Sequence, residues 1–189
     1  MKQGINEIAG KAALELSEIE LKVSEDQIQG VMHQIETANR IFVCGAGRSL
    51  LMLRAFAMRL MHIGYEAFVV GDTTTPAFEA GDMLIVGSAS GETTNLVSIT
   101  KRAKELGGTI AVVSIFEDST LARLADSCIR IPAFTDKLPE SDTNKRNTLS
   151  GGSMFEIGMV LMFDAMVLPL AEKKEVSTNR VFARHANLE

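Results

Sequence analysis

Tryptophan is absent from this chain, tyrosine occurs once, cysteine twice and histidine three times in 189 residues. With neither Trp nor a supply of Tyr, platforms on which the bases of a single strand stack are scarce. Basic charge is also short. The formal net charge is −5, whereas a phosphate backbone needs a basic face, so nucleic acid is not an expected partner. Cys44 and Cys128 are too few for a disulfide framework, and each lies in a short apolar run, where a small core hydrophobe belongs. His33, His62 and His185 are scattered without metal-ligand spacing, so no metal site is expected. The longest apolar stretch, MVLMFDAMVLPL, is interrupted by Asp164 and Pro169 and is too short for a bilayer. The opening MKQGINEIAGKAALELSEIE carries acids throughout and lacks the apolar centre of a signal peptide. No membrane partner and a cytoplasmic location are the corresponding expectations.

What the chain does have is an ordinary globular composition, 46% apolar and 23% charged, and enough length for one domain with a real core. Ile5, Ile8, Ala12, Leu16 and Ile19 recur at helical spacing. Ser24 followed by Gln27 fits a capping box ahead of a second helix carrying Ile28, Val31, Met32 and Ile35. The period then changes. Short β-rich runs at 40–45, 66–71, 82–88, 109–115 and 128–132 alternate with helical patterns at 50–64 and 95–108, and a last helix is predicted from Ser153 to Lys173. Continuous apolar strands alternating with helices imply a parallel sheet covered on both faces. The expected fold is thus α/β: a doubly wound five-stranded parallel sheet in an αβα sandwich, with two extra N-terminal helices. One domain over 1–189 divides into helices at 1–38, a core at 40–175 and a tail at 176–189. The irregular stretch 133–152 is long enough to be functional or mobile.

Ligands of such sheets bind beyond the carboxyl ends of the strands. The most specific sequence there is GSASGETTN (87–95), a strand end followed by the start of a helix. Free helix-start amides and the positive end of the dipole make a natural phosphate site, and Ser88, Ser90, Thr93 and Thr94 add neutral hydroxyl donors. Neutral donors suit one phosphate monoester, whereas a polyphosphate site usually has a lysine and a metal. Helix capping alone accounts for one hydroxyl, not four. GAGRS (45–49) lacks the third glycine of a dinucleotide fingerprint. Its Arg48, at a helix start where a cation opposes the dipole, fits an anionic ligand or a solvated surface.

Strand–GAGRS, strand–GSASGET and the GSMFE segment (152–156) together resemble a sugar isomerase (SIS) domain of flavodoxin-like fold. Within that superfamily, RSLLMLRAFAMRLMHIGYEAFVVGDTTTP, GDMLIVGSASGETTNL and the C-terminal FARHANLE are most similar to the 6-phospho-3-hexuloisomerase family, and the similarity covers essentially the whole chain. Two departures are Ala46 and Ala89, where the family often has Ser and Gly: the first removes a hydroxyl, and the second restricts the loop backbone.

The resemblance implies interconversion of D-arabino-hex-3-ulose 6-phosphate and fructose 6-phosphate through a cis-enediol, without metal or other cofactor. It implies Arg48, Ser49, Ser88, Ala89, Ser90, Gly91, Glu92 and Thr93 as the substrate- and phosphate-binding set and Glu156 as the proton acceptor. By its residues alone, Glu156 reads first as a first-turn acid complementing a helix dipole, and it is the resemblance that makes it the base. Glu92, beside a phosphate it would repel, is expected to turn away and cap a helix start or bond loop amides. His185 is a second catalytic candidate, because related sugar isomerases use a histidine for ring opening. That need is small here: O6, the hydroxyl that would close a five-membered ring on C3, is phosphorylated. His62, flanked by Met61 and Ile63, reads as a packed core or interface residue. The methionines at 52, 58, 61, 159, 162 and 166 read as core and interface filler. With more apolar helix face than one sheet covers, a homo-dimer or homo-tetramer is expected. The implied substrate is a small sugar phosphate, supplied by a 3-hexulose-6-phosphate synthase from formaldehyde and ribulose 5-phosphate. The alternatives are another isomerase of the same fold, for instance on arabinose 5-phosphate, and a non-catalytic sugar-phosphate sensor.

Overall fold

The computed structural model describes residues 4–175. Two helices lead, α1 (Ile5–Glu20) and α2 (Glu25–Thr37). There follow β1 (Ile41–Gly45), α3 (Gly47–His62), β2 (Ala67–Val69), β3 (Met83–Gly87), α4 (Thr94–Glu105), β4 (Thr109–Ser114), α5 (Thr120–Leu124), β5 (Ser127–Arg130) and α6 (Ser153–Lys173). The strands form one sheet in the order β2-β1-β3-β4-β5, every pair parallel. This is the doubly wound five-stranded α/β architecture expected from the sequence.

Side-chain alternation sorts the core into two layers. Ile41, Val43, Met83, Ile85, Ala111 and Val113 point to one face, beneath α1, α2, α3 and α6. Phe42, Cys44, Leu84, Val86, Ile110 and Val112 point to the other, beneath α4 and α5. Cys44 is buried and Cys128 half-buried, and burial pushes both thiols up to about 11, so each behaves as a small hydrophobe. On the first face Phe56 of α3 and Phe163 of α6 stack with ring centroids 4.1 Å apart. Helix α6 is long and apolar enough to cross a membrane, and it runs through Pro169 without stopping. Here it is a core helix: Met154, Phe155, Met159, Met162 and Phe163 are all buried. His62 is buried as well, at the end of α3.

Three local features differ from the sequence reading. Ser24 does occupy the N-cap of α2, but among the described residues its side chain makes no capping bond. Gln27 turns instead to the sheet: its Oε1 accepts from the Arg130 N–H at 3.0 Å, and its Nε2 donates to Glu117 Oε1 at 2.7 Å. Helix α5 was not predicted, because five residues are too few to show a period. It is held by Ser119, whose Oγ accepts from the Ala122 N–H. Finally, α3 begins at Gly47 rather than at residue 50, so Arg48 and Ser49 lie in its first turn.

Gly45 and Gly87 are register partners at the carboxyl ends of β1 and β3. A Cβ on Gly45 would stand 2.9 Å from Leu53 Cδ1 and 3.1 Å from the Leu50 nitrogen; one on Gly87 would stand 2.9 Å from Met159 Sδ. Missing side chains at this one point let α3 and α6 press onto the strand ends together. At the opposite ends, buried Asp82 accepts from Arg40 Nε at 3.0 Å and Nη2 at 2.6 Å.

The stretch 133–152 has no helix, yet it is closely tied. Buried Asn144 donates through Nδ2 to the carbonyls of Thr135, Leu138 and Pro139 at 3.0–3.1 Å, and its Oδ1 accepts from the Thr135 N–H at 2.9 Å. Glu15 of α1 accepts from Asn147 Nδ2 and the Thr148 N–H at 2.8 and 2.7 Å.

Glu20, at the end of α1, reaches under α6 at Gly158, where a Cβ would lie 2.7 Å from its Oε1. That oxygen has no hydrogen-bond partner among the described residues, and burial pushes the carboxyl up to about 7. A carboxyl whose folded pKa is raised favours folding below its unfolded pKa, and the advantage is lost as pH rises through about 7. Glu20→Gln is therefore expected to raise the melting midpoint over the parent at about pH 8.5 and to give little gain at about pH 4. Thermal unfolding at the two pH values checks this, and an equal gain at both would remove the buried-charge explanation.

Candidate active site

The order 2-1-3-4-5 reverses direction between β1 and β3, and the helices that follow them leave on opposite faces. Such a switch point opens a crevice at the strand ends. A cleft of about 250 Å³ lies there.

Its first wall is the start of α3. Ala46 is the extended N-cap residue, and Arg48 and the buried Ser49 follow it. The second wall is the end of β3 and the start of α4: Ser88, Ala89, Thr93 and Leu96. Ser88 Oγ and Thr93 Oγ1 are 3.3 Å apart, and the Gly91 N–H donates to Ser88 Oγ at 3.2 Å. The first amides of α4 have no partner within the helix, and Thr93 and Leu96 at that helix start line the cleft. The third wall comes from the stretch before α6 and from its first turn: Thr135, Asp136, Lys137, Gly151, Gly152 and Glu156.

Six residues singled out from the sequence thus meet in one cleft: Arg48, Ser49, Ser88, Ala89, Thr93 and Glu156. Ser90, Gly91 and Glu92 do not line it; they brace the loop from behind. Ser90 is buried, and its Oγ accepts from the Glu92 N–H at 3.3 Å. Gly91 has φ 65°, and a Cβ there would collide with Ser119. Glu92 Oε1 accepts from the Thr120 N–H at 2.7 Å, capping α5, and these bonds to Thr120 hold its carboxyl below the usual range. His185 lies outside the described residues. Ala89 keeps an ordinary backbone, with φ outside the left-handed region, and its methyl packs on the core, so the alanine costs the loop no strain.

Charge in the cleft is divided. The Ser88–Thr93 end offers neutral hydroxyls, and the α6 end carries Glu156, Arg48 and Lys137. Glu156 is 8% exposed. Burial pushes its carboxyl up, against the pull of the Arg48 and Lys137 charges. Arg48 Nε lies 3.0 Å from Glu156 Oε2, an ion-pair distance, yet its N–H is not aligned on that oxygen, and Oε2 is left without a hydrogen bond among the described residues. Arg48 Nη1 donates to Ser153 Oγ at 2.9 Å. No group of three His, Cys, Asp or Glu able to hold a metal gathers among the described residues. A carboxylate above its ordinary range, opposite a hydroxyl-lined helix start, can take a proton from a small phosphorylated ligand.

Thr135, Asp136 and Lys137 were not named from the sequence. Only the length of their stretch signalled a role; which of its residues face the cleft is decided by the side chain of Asn144, which no periodicity records.

The SIS domain sequence profile matches residues 34–161. A 3-hexulose-6-phosphate isomerase of Bacillus subtilis (strain 168) is 39% identical over 88% of this chain and 89% of the relative. One from Mycobacterium gastri is 41% identical over 93% of this chain and 86% of the relative. A Methanococcus jannaschii protein, whose crystal structure was taken to infer 3-hexulose-6-phosphate isomerase function, superposes with a TM-score of 0.77. It is 28% identical, covering 96% of this chain and 97% of that one.

Asn144→Ala removes one side chain that satisfies three carbonyls and an amide. It is expected to lower stability by about 1–3 kcal/mol in urea unfolding. By loosening the wall that carries Lys137, it should also raise KM for a sugar phosphate more than it lowers kcat. An unchanged KM would show that this wall does not contribute to binding.

Proposed function

The chain belongs to the SIS domain family, and we propose that it interconverts D-arabino-hex-3-ulose 6-phosphate and D-fructose 6-phosphate. The observation that carries this reading is Glu156: a buried carboxyl with a raised pKa, inside the cleft and across from the hydroxyls at the start of α4. The bacterial relatives named for this reaction support the same choice of substrate.

The 6-phosphate sits at the Ser88–Thr93 end, bonded by Ser49, Ser88 and Thr93 and by the first amides of α4. Ser90, Gly91 and Glu92 hold that loop in shape. Glu156 takes the proton from C2 of the 3-ketose, a C2=C3 double bond forms, and the C3 carbonyl becomes an enediolate oxygen. The O2 proton passes to O3, the C2 carbonyl forms, and Glu156 returns its proton to C3. The step moves a ketone by one carbon with no net oxidation, so one base and donors for the enediolate suffice. The reaction belongs to the cytoplasm, with the substrate supplied by a synthase condensing formaldehyde with ribulose 5-phosphate. His185 in the tail remains a candidate for opening the fructose ring.

Such a synthase, given formaldehyde and ribulose 5-phosphate, makes the substrate in situ, and the chain is expected to convert it to fructose 6-phosphate. Glu156→Gln is expected to slow the reaction roughly 10²–10⁴-fold. Activity should fall as pH drops through the Glu156 pKa, above the ordinary carboxylate range. No product from the parent protein would sink the function; parent-level rates from Glu156→Gln would sink only the base.

Leu51, Met58 and Met61 of α3 and Leu161 and Leu168 of α6 are large exposed hydrophobics on two helices that pack together. We read them as a surface for self-association into a dimer or tetramer. Light scattering should give two or four chain masses, and a single chain mass at micromolar concentration would refute it.

A further inference from the structure

Arg48 was expected at the anion because a cation at a helix start otherwise works against the dipole. Its surroundings offer a different reason for the position. The guanidinium of α3 reaches across to α6 and engages two residues one turn apart, Ser153 through Nη1 at 2.9 Å and Glu156 Oε2 at 3.0 Å from Nε. Side-chain exposure of Arg48 is 55% against 11% for Glu156, so the pair runs from the rim of the cleft inward.

The two carboxyl oxygens of Glu156 are not equivalent. Oε2 is sealed from solvent and has no hydrogen bond among the described residues; the arginine is the charge beside it. With Oε2 sealed and the side chain still 11% exposed in the cleft it lines, access to the carboxyl runs through Oε1. We propose that Arg48 is a positioning residue that holds Glu156 by Oε2 and leaves Oε1 to take the substrate proton, and that it is not the phosphate anchor. This rests on the reading of Glu156 as the base.

The charge balance follows from that arrangement. Before proton transfer the carboxylate and the guanidinium neutralise one another. When the C2 proton reaches Oε1, Glu156 becomes neutral and the negative charge appears on the enediolate oxygen. Arg48 is then left with its own partner discharged, a cation lining the cleft that holds the enediolate. Its attraction to substrate is greatest in the intermediate and weakest in the ground state, which is the kind of interaction that raises kcat rather than affinity. Phosphate anchoring would do the reverse, since the phosphate charge does not change along the reaction.

Arg48→Gln and Arg48→Lys separate these roles. Removing the cation takes away an influence that lowers the Glu156 pKa, so the acid limb of kcat/KM in Arg48→Gln should move to higher pH. In the protein without substrate, the ¹³C-labelled Glu156 carboxyl should titrate at higher pH by NMR. kcat should fall roughly 10²-fold through misplacement of the base, while inhibition by inorganic phosphate should change less than about twofold, within the scatter of a lost rim contact. Arg48→Lys, which keeps the charge but not the two-residue grip, should restore the acid limb and recover kcat only in part. An unmoved carboxyl titration together with a tenfold or greater loss of phosphate inhibition would overturn the proposal in favour of anchoring. A fully active Glu156→Gln protein would instead overturn the base assignment on which it rests. Should Arg48→Gln fail to fold, Arg48→Lys decides alone: a reduced kcat with phosphate inhibition within about twofold of the parent upholds positioning, and a tenfold or greater loss of phosphate inhibition overturns it, since a lysine cannot reproduce a bidentate anchor.

Discussion

Everything that meets in the cleft depends on how closely two helices approach the ends of two strands. Gly45 and Gly87, paired across β1 and β3, leave room that Leu53 of α3 and Met159 of α6 occupy. With the helices seated there, their first turns face each other, and Arg48, Ser153 and Glu156 fall within bonding distance. The methyl of an alanine at Gly45 would press on the backbone nitrogen of Leu50, inside the same turn that carries Arg48. Packing at the strand ends and geometry at the carboxylate are therefore one constraint, felt at two levels.

The same seating divides the cleft into two electrostatic halves. The α4 side presents hydroxyls and amides, which bind an anion without a fixed countercharge and so release it readily. The α6 side concentrates the full charges, where burial and cation pull the carboxyl in opposite directions. An arrangement of this kind suits a ligand with a permanent charge at one end and a transient one at the other. A sugar monophosphate that passes through an enediolate has that distribution.

Legibility from the sequence followed the range of the interactions. The five strands announced themselves because apolar runs alternate with helical patterns, and the Ser/Thr loop because hydroxyls cluster after β3. Those signals are local. Gln27 was misread as half of a capping box because its true partner is the Arg130 amide, 103 residues away. Glu92, placed in the binding set by resemblance yet expected to turn away and cap a helix start, does cap one, although that helix, α5, is too short to foresee. Ala89 looked like a restriction until its ordinary φ and a methyl packed against the core removed the difficulty. The third wall stayed hidden for the same reason: a single buried asparagine folds four backbone groups around itself in the stretch that brings Thr135 and Lys137 to the cleft.

The bonds from Glu15 to Asn147 and Thr148 join residues 132 and 133 positions apart. Burial raises the Glu15 carboxyl, but the bonds from Thr148 and Asn147 outweigh it and leave the group below its usual range, so the tie is an ionised one. In time rather than space, this makes the cleft a late product of synthesis. Glu15 of α1 has no partner for its acid until the residues 132 and 133 positions further on have followed, since distant contacts close last. A nascent chain can therefore carry a nearly complete sheet, with the hydroxyl loop in place, and still have no third wall and no base. The third wall and the base are thus completed together, after the sheet they stand on.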